Sequence, residues 1–389
     1  MAEPAGRPEI YLDYAATAPM HPSAALAVQD GQRLVGNPSS DHEAGREAAD
    51  ALGSARRSIA GLLGVTPDEV LLTSGGSEAD TMALWGTFAA RRFTGHLVTT
   101  SIEHSAVLEN ARALRDLGVE VTIVDPRPTG HIDAAEVAAA IRPDTVLVSV
   151  MHANNETGAI QPVGEIAALA GRAGVAVHTD AVHTAGKLDL GALGATLVSI
   201  SGHKFGGPRG VGALAVRAGH RLSPLILGGS QENGLRAGTE NVSGAMGMAA
   251  AAQVCMDRCS TSYRRDMRDM RERLIDGLAA VGGVHRNVAG PVLEETVSLR
   301  FDGIRADTLA DTLDVHGIYV SIGSACHAQN DTVSHVLTAQ GLSEQAARSS
   351  VRFSLGPGVS MADIDRVVSV ATQAVERLRR AAGMVGVLR

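Results

Sequence analysis

The sequence has few aromatic residues, few cysteines and no excess of positive charge. Among its 389 residues are 5 Phe, 4 Tyr and 1 Trp, too few to build a surface that stacks bases or lines an aromatic groove. The net charge of −8 argues against nucleic-acid binding as the main activity, so an anionic ligand would need a local cradle. The three cysteines, Cys255, Cys259 and Cys326, cannot form a disulfide framework in so long a chain. We therefore expect a cytoplasmic protein.

Long apolar segments are also missing. No run of about 18 apolar residues occurs, so we expect no transmembrane helix. The first nine residues have no apolar core, so we expect no signal peptide. The chain is longer than the roughly 250–300 residues at which a single hydrophobic core stops growing, and two domains are expected.

Along the chain, segments with the apolar pattern of a strand alternate with segments with the apolar pattern of a helix. Short runs rich in Val, Ile and Leu predict strands, and the longer segments between them have a helical period. The predicted strands are Glu69–Thr73, His96–Thr100, Glu120–Val124, Thr145–Met151, Val175–Thr179, Ala195–Ser201 and Gly212–Val216, and the predicted helices are Glu78–Arg91, Ser105–Leu117, Ala134–Ile141 and Val163–Gly171. This alternation is typical of βαβ units, so we expect an α/β fold with a mainly parallel, doubly wound sheet.

The pattern changes after residue 240. One long helix is predicted over Glu240–Val281, followed by strands at Thr296–Phe301, Ile318–Ser321 and Ser350–Ser354 and a last helix at Ala362–Ala382. We therefore expect a smaller α+β domain at the C-terminal end. The predicted division is an N-terminal arm over residues 1–15 that packs with the small domain, a large domain over 16–255 and a small domain over 256–389.

A lysine between a predicted strand and a glycine-rich turn is the first candidate for chemistry. In Ser201-Gly-His-Lys204-Phe-Gly-Gly, burial of Lys204 in a pocket would remove its proton and let the amine attack a carbonyl. An isolated loop lysine, however, is usually solvated. Ser201 and Lys204 also have the Ser-x-x-Lys spacing of penicillin-binding enzymes, but the accompanying Ser-Asp-Asn and Lys-Thr-Gly strings are absent.

Two other strand ends carry residue types that bind ligands. Thr73-Ser-Gly-Gly-Ser77 leads into a helix whose N-terminal N–H groups favour a phosphate, although a plain turn has the same composition. His178, Asp180 and His183 allow two interpretations: zinc ligands, or a carboxylate that pairs with a pyridinium nitrogen. Spacing alone does not separate these two, but the lysine and the phosphate cradle favour the cofactor.

Two further loops follow predicted strands and contribute His104 and Asn155. A lone histidine after a strand is more often structural than catalytic. The carboxyl ends of parallel strands meet at one edge of the sheet, however, where doubly wound folds bind ligands. Four such loops on one edge therefore favour a shared site.

The cysteines of the C-terminal half differ in their surroundings. Cys326 lies among small and polar residues in a predicted loop, beside the imidazole of His327, and this favours a reactive thiol over a buried apolar one. Cys255 and Cys259 are four residues apart on the predicted long helix and are interpreted as packing residues.

In chain order, these segments resemble a cysteine desulfurase of the NifS/IscS-like group, within the class V aminotransferase family of fold-type I pyridoxal-phosphate enzymes. The resemblance covers nearly the whole chain, and so many short strings in one order argue against chance. The strings are Tyr11-Leu-Asp-Tyr-Ala-Ala-Thr17, Gly36-Asn-Pro-Ser-Ser40, Thr73-Ser-Gly-Gly-Ser77, Glu103-His104, Asn154-Asn-Glu-Thr-Gly158, His178-Thr-Asp180, Ser201-Gly-His-Lys204, Leu235-Arg-Ala-Gly-Thr239-Glu-Asn, Gly323-Ser-Ala-Cys326 and Ser350-Val-Arg352-Phe-Ser-Leu-Gly356.

The resemblance implies a large domain that binds pyridoxal 5'-phosphate. Lys204 would form a Schiff base with the cofactor, Asp180 would pair with the ring nitrogen, and His104 would stack on the ring and handle a proton. The implied cofactor-binding residues are Gly76, Ser77, His104, Asn155, Asp180, His183, Ser201, Gly202, His203, Lys204 and Thr239. Thr239 would reach the phosphate of the other subunit, which implies a homodimer. His183 stands where the family mostly has Gln.

The implied activity converts L-cysteine to L-alanine and leaves a persulfide on Cys326. Asn155 and Arg352 would bind the substrate, with Arg352 as a bidentate fork for its carboxylate. A sulfur acceptor protein in iron–sulfur cluster assembly or thio-modification would take the sulfur. Cys326 would at most be a transient iron–sulfur ligand, and no resident metal is expected. The alternatives are a selenocysteine lyase, a cysteine or cystine β-lyase or an aminotransferase of the same fold, or a non-catalytic homologue that acts as a binding partner.

Overall fold

The computed structural model describes residues 9–258, 261–323 and 333–383, so that Cys259 and Cys326 lie outside the described residues. The strands are β1 (Ile10–Tyr11), β2 (Val70–Thr73), β3 (His96–Thr100), β4 (Glu120–Val124), β5 (Thr145–Ser149), β6 (Ala176–Asp180), β7 (Leu197–Ser201), β8 (Gly212–Val216), β9 (Val284–Arg286), β10 (Thr296–Phe301), β11 (Ile318–Tyr319) and β12 (Ser350–Ser354). The α-helices are α1 (Pro22–Gly31), α2 (Glu43–Leu63), α3 (Gly76–Ala89), α4 (Ser105–Asp116), α5 (Ala134–Ala139), α6 (Val163–Arg172), α7 (Val242–Arg258), α8 (Thr261–Ala279), α9 (Ala306–Asp314), α10 (His335–Ala339), α11 (Glu344–Arg348) and α12 (Met361–Ala381).

A seven-stranded sheet organises the larger part of the molecule. Its strands lie in the order β2-β8-β7-β6-β5-β3-β4, and neighbouring strands are parallel except that β8 is antiparallel to both β2 and β7. The strands β2, β3, β5, β6 and β7 therefore all end at the same edge. This is the edge at which we predicted a shared site.

Alternate residues of these strands pack on opposite faces of the sheet. Leu97, Leu147 and Leu197 pack with α3 and α4 on one face. Val98, Val148 and Val198 pack with α2, α6 and α7 on the other face. Because helices cover both faces, the strands are apolar on both sides. The predicted α/β fold with a mainly parallel, doubly wound sheet is confirmed.

A separate core lies around an antiparallel sheet in the order β12-β10-β9. Apolar residues of α8, α9 and α12 pack on this sheet, and Ile10 and Leu12 join them because β1 pairs with β11. The predicted division into an arm over residues 1–15 and domains over 16–255 and 256–389 stays a prediction, since packing alone does not show that either part folds by itself.

The predicted helix over Glu240–Val281 corresponds to α7, which starts at Val242, and α8, which ends at Ala279; residues 259 and 260 between them lie outside the described residues. The apolar residues of α7 and α8 belong to different cores: Met248 and Cys255 of α7 pack against the large sheet, and Met270 and Leu274 of α8 pack in the second core. The sequence pattern did not predict this division, because helical periodicity does not show which core each face contacts.

A buried ion pair fixes the edge strand β2. The Glu232 side chain, 2% exposed, accepts two hydrogen bonds of 2.7 Å from Arg56 of α2 and one of 3.0 Å from the Leu72 N–H. Glu232→Ala would leave the Arg56 charge without its partner, and we expect the free energy of unfolding in urea to fall by about 3–5 kcal/mol. Asp307→Ala, which breaks an exposed pair with Arg305, is the control and should cost less than about 1 kcal/mol. Equal losses in the two variants would contradict the prediction.

Candidate active site

A cavity of about 270 Å³ opens at the shared edge of the sheet. It is lined by Ala15, Ala16, Gly76, Ser77, Asp80, His104, Met151, Ala153, Asn155, Asp180, Val182, His183, Ser201, His203, Lys204 and Arg352. The loops that follow β2, β3, β5, β6 and β7 supply most of these residues, and Arg352 comes from β12 in the second core. The cavity therefore lies where the two cores meet.

Most of the predicted site residues line this cavity. They are Gly76, Ser77, His104, Asn155, Asp180, His183, Ser201, His203, Lys204 and Arg352. Gly202 is buried directly after β7 and does not line the cavity, and Thr239 is exposed and lies outside it. Cys326 lies outside the described residues. The role of each of these residues stays a prediction.

The cavity wall includes the N-terminus of a 14-residue helix, α3, which begins at Gly76. A Cβ at Gly76 would lie 2.6 Å from Val182 Cγ2, and one at Gly212 would lie 2.7 Å from the backbone of Gly75. Glycine is therefore required where these chain segments approach one another. The first-turn N–H groups and the hydroxyls of Ser77 and Ser201 suit a phosphate. Of the two interpretations of this segment, the phosphate cradle fits its position better than a plain turn.

Lys204 ends the short turn Gly202–Lys204 that follows β7. Its Nζ donates hydrogen bonds to the carbonyls of Ala15 at 2.7 Å and Ala16 at 3.0 Å. Burial, with smaller contributions from Arg352 and Lys187, lowers the pKa of Lys204 to about 8. At pH 7 about a tenth of the lysine is therefore neutral amine, the form that attacks a carbonyl.

Asp180, the last residue of β6, faces the same cavity. Its Oδ1 accepts a hydrogen bond of 2.9 Å from the Val182 N–H. Burial, together with the neighbouring carboxyl of Asp80, raises the pKa of Asp180 to about 6. A cation in the cavity would reverse this shift, because it favours the charged carboxylate. Asp180 is thus placed to pair with a cationic group of a ligand.

Three histidines line the cavity, and two of them are held in their neutral form by burial. Burial lowers the pKa of His203 to about 4 and that of His183 well below the ordinary range. His183 Nδ1 is buried and has no hydrogen-bond partner among the described residues, so it has unused capacity to bond a ligand. His104 is the N-cap residue of α4, and its Nδ1 accepts a hydrogen bond of 3.1 Å from the Ala106 N–H. Because an accepting ring nitrogen carries no proton, this bond assigns the ring proton to Nε2.

Arg352 brings a buried guanidinium from β12 to the cavity, with 3% of the side chain exposed. Nη1 donates to the Asn155 carbonyl at 2.7 Å, and Nη2 donates to Asp13 Oδ1 at 2.6 Å. Its Nε has no hydrogen-bond partner among the described residues. This arginine therefore has a fixed orientation and a remaining donor for a ligand carboxylate.

The zinc interpretation of His178, Asp180 and His183 does not fit the structure. Both ring nitrogens of His178 are hydrogen-bonded to hydroxyls, Nδ1 to Ser149 at 2.8 Å and Nε2 to Ser199 at 3.0 Å. Within residues 9–258, 261–323 and 333–383, no group of three His, Cys, Asp or Glu side chains is placed to hold a metal ion.

Sequence reasoning missed three residues that support the site. Asp13 pairs with Arg352, and Thr17 Oγ1 lies 3.1 Å from His203 Nδ1, so the segment after β1 contacts the cavity. Asp80 is a buried carboxyl that lines the cavity. One sequence signal was available for Asp80: it lies four residues after Gly76 on the same helix, and residues at this spacing share a face.

A lysine amine beside a phosphate-type cradle, at the edge of a doubly wound sheet, is the arrangement of an enzyme that holds a phosphorylated carbonyl compound. The chain belongs to the class-V aminotransferase family, whose model matches residues 10–367. The chain is 43% identical over 384 residues to the IscS-like cysteine desulfurase of Mycobacterium tuberculosis, a similarity that covers 96% of this chain and 98% of the relative.

Solved structures give the same result. A NifS-like protein superimposes with a TM-score of 0.89 at 33% identity, covering 95% of this chain and all of that chain. SspA, solved in complex with cysteine, superimposes with a TM-score of 0.80 at 35% identity, covering 90% of this chain and 99% of that chain.

None of the helices in the described ranges has the length and apolar character needed to cross a bilayer.

Proposed function

We infer that this chain is a cysteine desulfurase that converts L-cysteine to L-alanine and leaves the sulfur as a persulfide on Cys326. One observation carries this conclusion: Lys204, Asp180 and Arg352 line one cavity in a chain that is similar over nearly its whole length to a named cysteine desulfurase. Each of the three offers a group that the reaction needs: an amine of lowered pKa, a buried carboxyl and a fixed guanidinium.

Pyridoxal 5'-phosphate is the proposed cofactor, and the cavity residues fit it. The α3 N-terminus with Ser77, Ser201 and His203 would hold the phosphate, and Asp180 would face the ring nitrogen. The unpartnered Nδ1 of His183 and the side chain of Asn155 would serve the polar substituent of the ring. The cofactor supplies an aldehyde that binds amines covalently and a ring that withdraws electrons from the substrate Cα.

Each of the proposed site residues would perform one part of the reaction. Arg352 and Asn155 bind and orient the substrate carboxylate, and Lys204 Nζ, as a neutral amine, takes the proton from Cα. His104 would stack on the ring of the cofactor and would move a proton. The thiolate of Cys326 would attack the substrate sulfur, so that a sulfur–sulfur bond forms as the bond between sulfur and Cβ breaks. Cβ would then gain a proton and Cα would regain the one it lost, so that the product leaves as alanine.

The oligomer, the acceptor and the location belong to the same proposal. Thr239 is exposed, as a residue that contacts a second subunit of a homodimer must be in the isolated chain. A persulfide on the protein requires an acceptor protein, which would use the sulfur in iron–sulfur cluster assembly or thio-modification. We place this reaction in the cytoplasm, where a reduced thiol at Cys326 persists.

Cys326→Ser tests the sulfur step. With cysteine as substrate and a thiol reductant, we expect sulfide release to fall by more than about 100-fold, because a hydroxyl cannot accept the sulfur as a persulfide. The cofactor absorbance should remain, since the cofactor site lies on other residues. Sulfide is measured colorimetrically and alanine by amino-acid analysis.

Cys255→Ser is the matched control, because Cys255 is a thiol packed in the core of the large sheet. It should keep both the sulfide release and the absorbance. A Cys326→Ser enzyme that releases sulfide at the rate of the unmodified enzyme would refute the assignment of the nucleophile.

A further inference from the structure

The proposed reaction leaves one carboxyl of the cavity without a role. Asp80 lies on α3 one turn after Gly76, is 1% exposed and lines the cavity. Its Oδ1 is buried and has no hydrogen-bond partner among the described residues. Burying a carboxyl oxygen without a hydrogen-bond partner destabilises the folded protein. Such groups are concentrated at functional sites, where their charge or their proton is used.

A chain of neighbouring polar groups extends from Asp80 away from the cavity. The Ser199 hydroxyl hydrogen-bonds to the Asp80 carboxyl and lies 3.0 Å from His178 Nε2. His178 Nδ1 in turn lies 2.8 Å from the Ser149 hydroxyl, and His178 Nε2 lies 3.5 Å from Asp80 Oδ1. Burial lowers the pKa of His178 to about 4, so its ring is neutral near pH 7.

This chain accommodates either charge state of Asp80. With Asp80 charged, His178 Nε2–H donates to Ser199, Ser199 donates to the carboxylate, and Ser149 donates to Nδ1. With Asp80 protonated, the carboxyl donates to Ser199, Ser199 donates to Nε2, and Nδ1–H donates to Ser149. In both states each of the Ser199, His178 and Ser149 groups in this chain has a partner, whereas Asp80 Oδ1 stays without a hydrogen bond among the described residues. The His178 tautomer therefore follows the charge of Asp80.

Asp180 is surrounded by charged and titratable groups from several elements. Asp80 faces it from α3, His104 and Glu103 from the start of α4, His178 from β6 itself and Lys204 from the turn after β7. Burial raises the pKa of Asp80 to about 7, and burial with the Asp80 charge raises that of Asp180 to about 6. Asp180 also accepts the Val182 N–H, which favours its charged form.

We propose that Asp80 is a positioning residue whose charge state sets how many negative charges face the ring nitrogen of the cofactor. In the protonated state of Asp80, Asp180 alone holds the ring cation. In the charged state of Asp80, a second carboxylate adds attraction and keeps the ring cationic to higher pH. This inference rests on the proposed function, because the ring nitrogen belongs to the proposed cofactor.

The test compares Asp80→Asn with the unmodified protein, both stripped of cofactor, in binding 4-deoxypyridoxine 5'-phosphate. This analogue has a methyl group in place of the aldehyde, so it does not react with Lys204, and the affinity is measured by isothermal titration between pH 5 and 7.5. We expect equal affinities at pH 5, where Asp80 is protonated and resembles Asn. At pH 7.5 the unmodified protein should bind about tenfold more tightly, because only its residue 80 has become charged.

Glu103→Gln is the matched control. Glu103 is a second buried carboxyl near Asp180, but it does not line the cavity, and burial raises its pKa to about 8. The affinity of Glu103→Gln for the analogue, divided by that of the unmodified protein, should stay constant between pH 5 and 7.5. A pH-independent ratio for Asp80→Asn would overturn the proposal and leave the proposed function intact. Failure of the unmodified protein to bind the analogue at every pH would overturn both.

A measurement on the unmodified protein covers the case in which Asp80→Asn does not fold. The ¹⁵N shifts of His178 distinguish its two tautomers. We expect the ring to change from the Nδ1–H tautomer to the Nε2–H tautomer as the pH rises from 6 to 8. A single tautomer across this range would also overturn the proposal, since Asp80 would then not titrate against Ser199 and His178.

Discussion

Lys204→Ala is expected to lower alanine formation from cysteine by at least about 10³-fold, the largest effect of any substitution in the cavity. In the proposed mechanism the amine takes the Cα proton and anchors the cofactor, so both functions would be lost together. Of the two lysines in the sequence, Lys187 and Lys204, only Lys204 lines this cavity, where its Nζ donates to the Ala15 and Ala16 carbonyls. Alanine formation is followed by amino-acid analysis under saturating cysteine.

The same variant has a readout that does not depend on turnover. Borohydride reduction of the loaded enzyme should fix the cofactor to the peptide that contains Lys204, and mass spectrometry should find no such adduct in Lys204→Ala. Lys187→Met is the control, since Lys187 is a second lysine close enough to lower the pKa of Lys204. It should keep the adduct. An adduct on Lys187 instead would show that the cofactor has been assigned to the wrong amine.

The large sheet could be predicted from the sequence because each of its strands has its own local signal. The bounds of β3, β4 and β8 agree with the prediction, and the others differ only at their ends. Apolar runs of about five residues between turns are sufficient for this, because burial on both faces leaves little choice of residue. The loop after β5 shows the limit: Val150 and Met151 continue the apolar run, but the strand ends at Ser149 and the chain turns toward the cavity.

The groups that set the charges of the site could not be predicted in this way. Asp13 and Arg352 are 339 residues apart, and only the pairing of β1 with β11 and of Asp13 with Ser354 brings them together. The pKa shifts of Lys204 and Asp180 come from burial, which one strand or loop cannot reveal by itself. The resemblance to the family implied the candidate site residues, and the structure shows that most of them line one cavity.

Arg352→Lys is expected to raise the KM for cysteine by about 10- to 100-fold with little change in the cofactor absorbance. A lysine keeps the positive charge but lacks the planar fork, so it cannot hold the Asn155 carbonyl, the Asp13 carboxylate and a substrate carboxylate at once. Loss of one charge-assisted hydrogen bond, worth about 1.5–3 kcal/mol, corresponds to this change in KM. Steady-state kinetics over a range of cysteine concentrations measures it.

The pattern of the kinetic constants separates substrate binding from a general loss of structure. Arg300→Lys makes the same exchange on the neighbouring strand β10, where Arg300 pairs in register with Ser350 and does not line the cavity. It should leave the KM unchanged. In the proposed mechanism Arg352 contacts the substrate carboxylate both before and during the reaction, so its loss should weaken ground-state binding and leave kcat within about tenfold. A fall in kcat at constant KM would instead place Arg352 in the chemical step and remove it from substrate recognition.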